Sequence, residues 1–367
     1  MRILRRHAER NPVYLRPLTN CPETIVTNGT VTFGSFSGVT GKLDIRGISN
    51  SFSGLPAPAL VSNLRIKSRI SYVFSIDKYI GIVEFFDDKA FGLAEVVFWN
   101  KETGQKLAYH TFMGPRRRFV PTDTAEAACT SFGKTRYIKI AWSRRHKRIS
   151  LSFTVRGDRF RPAAKGKFCA PFGSEQNEEM LSVSPAPTIH RCSATWLVPM
   201  EITGGIGTAK HRRDITELPQ NRGLAIMLAN RTYLKIRSEK SSMFGFAESD
   251  GRKIIFTFSN SSQDAVDADA YNDNLLSVNG VITAMPPVYI THPLGLAKKW
   301  ICQDTENMVD LSFQPASCTN RTLNLIFMKN AYTTIYGTFD GALLSKDGDK
   351  IILKNCPGIV KKNMFRL

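Results

Sequence analysis

The chain has 367 residues and carries 50 Lys+Arg against 31 Asp+Glu, a formal net charge of +19. Hydrophobic residues make up 42% and charged residues 22%, which excludes wholesale disorder; at about 100–200 residues per domain, the length predicts two domains. The nearly apolar run Ala90–Trp99 contains Glu95 and falls far short of the ~20 residues that a membrane-spanning helix needs.

The start, Met1-Arg2-Ile3-Leu4-Arg5-Arg6-His7, opens a basic leader set at residues 1–22, with no apolar core or small-residue cleavage site behind it. Short strand-like stretches then recur: Ser71–Asp77, Tyr79–Phe86, Leu93–Trp99, Lys106–Phe112 and Tyr137–Trp142. In Arg148–Val155, Ile149, Leu151, Phe153 and Val155 alternate with polar partners, the period-two pattern of a strand with one wet face. From Pro171 to Pro187 the rhythm breaks around Ser174-Glu-Gln-Asn-Glu-Glu179, and an interdomain connection is placed at 171–189. Strand patterns resume at Lys253–Phe258, Leu275–Val278, Val309–Phe313, Leu323–Met328, Tyr332–Phe339 and Lys350–Leu353. Asp250-Gly251, Asn279-Gly280 and Asp347-Gly348 supply the positive φ of tight hairpins. The reading is all-β: two tandem antiparallel β-barrels, one over 23–170 and one over 190–367.

Positive charge is concentrated. Between Lys101 and Lys167 there are 17 Lys/Arg and four acids, +13 of the net +19. Arg116, Arg117, Arg118, Arg144, Arg145, Lys147 and Arg148 form a cationic patch, read first as a solvated face and otherwise as the candidate contact with an anionic membrane surface; with no nucleic-acid reading motif in the chain, a nucleic acid is the less favoured partner. Seven cysteines, an odd number with no Cys-x-x-Cys pair, argue against a disulfide framework and a structural zinc. They read as free thiols of a cytoplasmic protein. The six histidines show no paired metal spacing, so no metal and no cofactor is expected. Gly204-Gly205-Ile206-Gly207 lacks a following Gly-Lys-Ser/Thr and reads as a loop.

The C-terminal half carries the most specific pattern. Asp273, Asn274, Val278 and Gly280 are followed by Trp300, then Asp310, Phe313 and Pro315, then Arg321, Asn324, Gly337, Phe339 and Gly341. This series, with Asn28-Gly29 and Arg65-Ile66-Lys67 upstream, resembles the family called domain of unknown function 2804. Ser68-Arg69 stands where that family has Glu-Trp, and Lys240-Ser241-Ser242 where it has Trp-x-Trp; of its middle element only Arg231 remains. The resemblance implies lipocalin-like (calycin-type) barrels, similar to hydroxyneurosporene synthase, in a wider group of hydratases, pericyclases and binders of apolar molecules.

The leading expectation is a binder of a lipid or other hydrophobic small molecule, docked by its basic patch on an anionic membrane surface. The alternatives are a cofactor-independent lyase or isomerase on an apolar substrate and a charge-driven nucleic-acid binder. Asp310 and Asp273 are the candidate catalytic acids. Arg231, Asn274, Trp300, Arg321 and Asn324 are the candidate ligand-binding residues, with Arg321, Asp310 and Asn324 able to satisfy one another if all three point inward.

Overall fold

The computed structural model describes residues 16–51, 58–89, 91–114, 119–173, 178–325 and 328–366. The first part of the chain holds β1 (Thr19–Asn20), β2 (Val26–Thr27), β3 (Thr30–Val31), β4 (Gly34–Ser37), the short helix α1 (Ala59–Leu64), β5 (Ile66–Ile76), β6 (Tyr79–Asp87), β7 (Gly92–Asn100) and β8 (Lys106–Met113). Next come β9 (Glu126–Gly133), β10 (Arg136–Ser143), β11 (Arg148–Val155), β12 (Ala163–Pro171), β13 (Met180–Pro185), β14 (Cys192–Ala209) and β15 (Asn221–Tyr233). The remainder is β16 (Arg237–Ser249), β17 (Arg252–Ser261), β18 (Leu275–Val278), β19 (Val281–Ala284), β20 (Tyr289–Thr291), β21 (Trp300–Gln303), β22 (Val309–Leu325), β23 (Met328–Leu344) and β24 (Lys350–Arg366).

The fold is all-β, two large curled antiparallel sheets in tandem, each a half-barrel. The first has 13 strands: ten in the order β8-β7-β6-β5-β15-β14-β12-β11-β10-β9, with β13 branching from β14, β4 pairing with β13 and β1 with β4. The 18-residue β14 makes the branch: Cys192–Leu197 pairs with β13, and Thr203–Ala209 pairs with β12. The second sheet has nine strands in the order β19-β18-β17-β16-β24-β23-β22-β21-β20. In the interior of each order, strands far apart in the chain pair, Ile66 against Tyr233 in one sheet and Arg237 against Arg366 in the other.

The chain therefore crosses between sheets at residues 234–236, and not in the interval 171–189 expected from composition. That interval contains β13, a strand of the first sheet. A Pro-rich, acidic stretch broke the alternation there because β13 is covered on both faces and has no wet side to mark it.

Aromatic rings fill the enclosed face of each sheet. In the first, Phe74 and Phe168 lie 4.7 Å apart beside Tyr72, Phe98 and Phe153. In the second, Phe339 contacts Phe313 at 4.7 Å and Phe256 at 5.1 Å. A third apolar cluster joins the sheets: Val73, Ile80, Ile82, Val97 and Trp99 pack against Phe244, Phe246, Ile255, Tyr336 and Ile359. At about 1.5–3 kcal/mol for each large apolar side chain fully buried, this cluster holds the halves together. It also explains why every residue of β6 is buried, while β11, covered on one side, keeps a clean alternation.

Local turn chemistry follows the sequence expectation at two of the three turns; at the third only Gly348, and not Asp347, has positive φ. Asp250 and Gly251 have φ of 51° and 72°, and Asn279 and Gly280 have 50° and 85°, as the two-residue hairpins β16–β17 and β18–β19 require. The expected strand Leu323–Met328 is instead the end of β22 and the start of β23, whose connection at 326–327 lies outside the described residues. Gly204-Gly205-Ile206-Gly207 lies within β14 rather than in a loop. A Cβ on Gly204 would sit 2.0 Å from the Lys167 carbonyl oxygen, and one on Gly205 would meet Pro219 O at 2.4 Å. The run is glycine because neighbouring backbone comes close. Gly204 adds φ of +139°, so Gly204→Ala is expected to cost at least about 1–3 kcal/mol in urea unfolding.

All seven cysteines are free thiols. Among the described residues no helix is long and apolar enough to cross a membrane.

Candidate functional site

A cleft of about 100 Å³ opens beside the crossover, where β5, β14 and β15 of the first sheet face β16, β24 and the segment 261–273 of the second. Its chemistry centres on Lys240, Asp273 and Asp264. Asp273 accepts hydrogen bonds from Lys240 Nζ at 2.9 Å, Ser259 Oγ at 2.5 Å and Thr195 Oγ1 at 3.2 Å. Thr195 is positioned in turn by Asn230 Nδ2 at 2.9 Å. The turn bearing Asp273 is fixed by its neighbour Asn274, fully buried, whose Oδ1 accepts from Ser259 N and whose Nδ2 donates to Pro286 O, each at 2.8 Å.

The two carboxyls are driven apart electrically. Burial pushes Asp273 up, but the Lys240 charge and the hydrogen bonds from Ser259, Lys240 and Thr195 outweigh it, so its pKa lies below the ordinary carboxylate value. Asp264 is raised to about 6, first by burial of its carboxyl and further by the nearby Asp273 charge; the Ser261 N–H and the Lys240 charge only partly offset this. The residue as a whole is solvent-exposed, and only its carboxyl is shielded. Two acids near one ammonium, one firmly ionised and one titrating near neutrality, form an arrangement able to move a proton.

A second cluster of charges lies between the sheets, its glutamates and Lys361 buried and its His110 edge open to solvent. Glu84 on β6 and Glu95 on β7 are direct cross-strand neighbours, and both point toward the second sheet. Lys361 on β24 lies 2.5 Å from Glu84 and 3.7 Å from Glu95. Arg69 reaches Glu84 at 3.5 Å, Arg321 reaches Glu95 at 3.3 Å, and His110 lies 3.4 Å from Glu95. Ser71 Oγ donates to Glu84 at 2.7 Å. Against the cost of burial, the His110 hydrogen bond and the Lys361 and Arg321 charges hold Glu95 down at about 2. Arg69 also lines the cleft, so the two constellations share a residue.

The structure separates the sequence candidates. Asp273 lies in the cleft; Asn274 supports it from behind. Asp310 is exposed and bound to Gln303 at 2.9 Å, Asn324 is exposed, and Arg321 turns to Glu95. The expected Arg321–Asp310–Asn324 set therefore does not assemble, because Arg321 finds an acid across the sheet interface. Trp300 is fully buried against His292, its Nε1 donating to Leu296 O at 3.0 Å, and is core to the second sheet. Arg231 is buried in the first sheet, donating to Ser68 Oγ at 2.9 Å and Val120 O at 2.7 Å. Burial pulls its pKa down, against the charges of Asp44 and Asp87.

On the basic face, Arg144 is committed to a bidentate pair with Glu179 at 2.9 and 2.8 Å and lies over the Phe172 ring, while Arg145, Lys147 and Arg148 are exposed. Arg116, Arg117 and Arg118 lie outside the described residues. Sequence reasoning passed over Lys240, Asp264, Glu84 and Lys361 as site residues. Glu84 and Glu95 did carry a signal: each is a lone acid inside an otherwise apolar strand run, which demands a buried partner.

Sheets and cleft together define an all-β protein with a polar cleft between two half-barrel sheets. The chain belongs to the family described as Domain of unknown function (DUF2804), which matches residues 40–367. No curated protein matches the chain. Two solved structures are similar in fold: an AttH-like protein of Nitrosomonas europaea (10% identity, 82% of this chain and 92% of that one, TM-score 0.44) and kievitone hydratase of Nectria haematococca (10% identity, 91% and 98%, TM-score 0.41).

Proposed function

We propose that the chain acts on a small molecule in the cleft between its sheets, by acid–base chemistry of the lyase or isomerase kind that needs only proton transfer. The observation that carries this reading is the pair of aspartates beside one lysine, with Asp264 raised to about 6 and Asp273 held low. Asp264, mostly ionised at pH 7 and close to its midpoint, takes a proton from the substrate and can return it elsewhere. Lys240 stabilises the negative charge that develops on a substrate oxygen, and Asp273 holds Lys240 in place. An apolar ligand inside either half-barrel has less support, since aromatic rings occupy those faces.

Carboxyl carbon NMR across a pH titration tests the premise. Asp264 is expected to titrate near 6, and Asp273→Asn should lower that midpoint, since it removes a repelling charge and frees Lys240. An Asp264 midpoint near 4 in the wild type would sink the reading. Native mass spectrometry of protein purified without detergent supplies the functional half: a small molecule carried by the wild type should be absent from Lys240→Met.

A further inference from the structure

We infer that the cleft takes a neutral, polyhydroxylated group of sugar-like chemistry. This rests on the proposal above that the cleft is the working site. Pockets for apolar ligands are lined mainly by apolar side chains with a few polar ones. Here polar residues predominate in number. Of 21 lining residues, eight carry hydroxyls and four carry amides, against four that are apolar.

Charge narrows the class further. Three cations line the cleft, and each is committed: Lys67 to Asp88, Arg69 to Glu84 and Lys240 to Asp273. No surplus positive charge is left to neutralise a phosphate or a carboxylate. What is left over is hydrogen-bonding capacity. Asn363 Oδ1, on the β24 wall, is buried with no hydrogen-bond partner among the described residues. A buried acceptor of this kind requires a donor, and a ligand hydroxyl would provide one. Ser238, itself a buried residue on the β16 wall, supplies a hydroxyl that both donates and accepts, as a vicinal diol requires. Tyr271 offers an aromatic ring on the same cleft, steadied edge-on by Phe33 at 5.9 Å.

Ligand-observed NMR and calorimetry on the full chain test the inference. The probes are the methyl glycosides of glucose, galactose and mannose, and myo-inositol, with decanoate and inorganic phosphate as contrasts. At least one polyol is expected to bind, and Asn363→Leu to weaken it at least tenfold, with circular dichroism reporting whether that variant folds. Ser238→Ala, a smaller change, should weaken it at least threefold and carries the test if Asn363→Leu does not fold. Polyol binding unmoved by the folded variants would overturn the assignment. Lys240-dependent binding of decanoate or phosphate with no polyol binding would overturn the ligand class while leaving the acid–base proposal standing. Binding of no probe, with Asp264 titrating near 4, would overturn both.

Discussion

Lys361→Met is expected to lower the unfolding free energy by about 3–5 kcal/mol, the usual cost of leaving a buried charge without its partner. Lys361 is 6% exposed, Glu84 5% and Glu95 9%, and the two glutamates are cross-strand neighbours. Without the ammonium, two carboxylates face each other in a dry interface, with Arg69 on one flank and Arg321 on the other. Urea unfolding followed by tryptophan fluorescence measures the loss. The double variant Glu84→Gln with Lys361→Met should recover part of it, because it removes one of the orphaned charges. A loss below about 1 kcal/mol would mean that the arginines alone satisfy both glutamates.

The same cluster sets a response to acid. Glu95 titrates at about 2 in the folded chain, lower than in the unfolded one. A depressed carboxylate stabilises the fold above its unfolded pKa, and this contribution disappears as pH falls toward the folded value. Stability should therefore drop between about pH 4.5 and 2, and the Glu95→Gln variant should show a flatter profile over that window.

The second large effect is expected at Trp99. This side chain is fully buried in the apolar cluster that joins the sheets and stacks on Tyr336 at 6.0 Å. Trp99→Ala should cost about 3–5 kcal/mol through lost burial and the cavity left behind. Trp99→Phe should cost much less, about 1–2 kcal/mol, because the indole N–H is buried without a partner and its removal relieves a desolvated donor. Equal losses from the two variants would show that the indole nitrogen, and not ring volume, is what the site needs.

Strands with one wet face were legible from the sequence: Arg148–Val155 was expected and found residue for residue, and Lys106–Phe112 ends one residue short of the observed strand. Cys192–Ala209 and Asn221–Tyr233 were not anticipated. Both sit near the middle of the first sheet, and over Thr195–Met200 and Leu224–Met227 both faces are buried, so the alternation is interrupted there; over Met227–Tyr233 it persists, but a buried Arg231 stands on its inner face and disguises it. The domain connection was misplaced for the same reason. At the site, Asp273 was legible through the family pattern, but Lys240 reaches it only through the pairing of β16 with β17, and Asp264 through the folding of the β17–β18 connection, neither of which sequence spacing displays. Arg321 shows the converse. Its importance could be read, but its partner could not, since Glu95 lies across the sheet interface.

The pairing of the first and last long strands within each sheet has a consequence for how the protein is made. β5 cannot pair with β15 until residue 233 has left the ribosome, and β16 must wait for β24 at the end of the chain. Such distant pairings fold slowly, and synthesis of the second sheet takes on the order of ten seconds. Through that interval the first sheet presents Ile80, Ile82, Val97 and Trp99 to water, beside Glu84 and Glu95, which have not yet met Lys361 or Arg321. The acidic pair that later fastens the halves thus first serves as a gatekeeper, keeping a sticky nascent surface hydrated until its other half arrives.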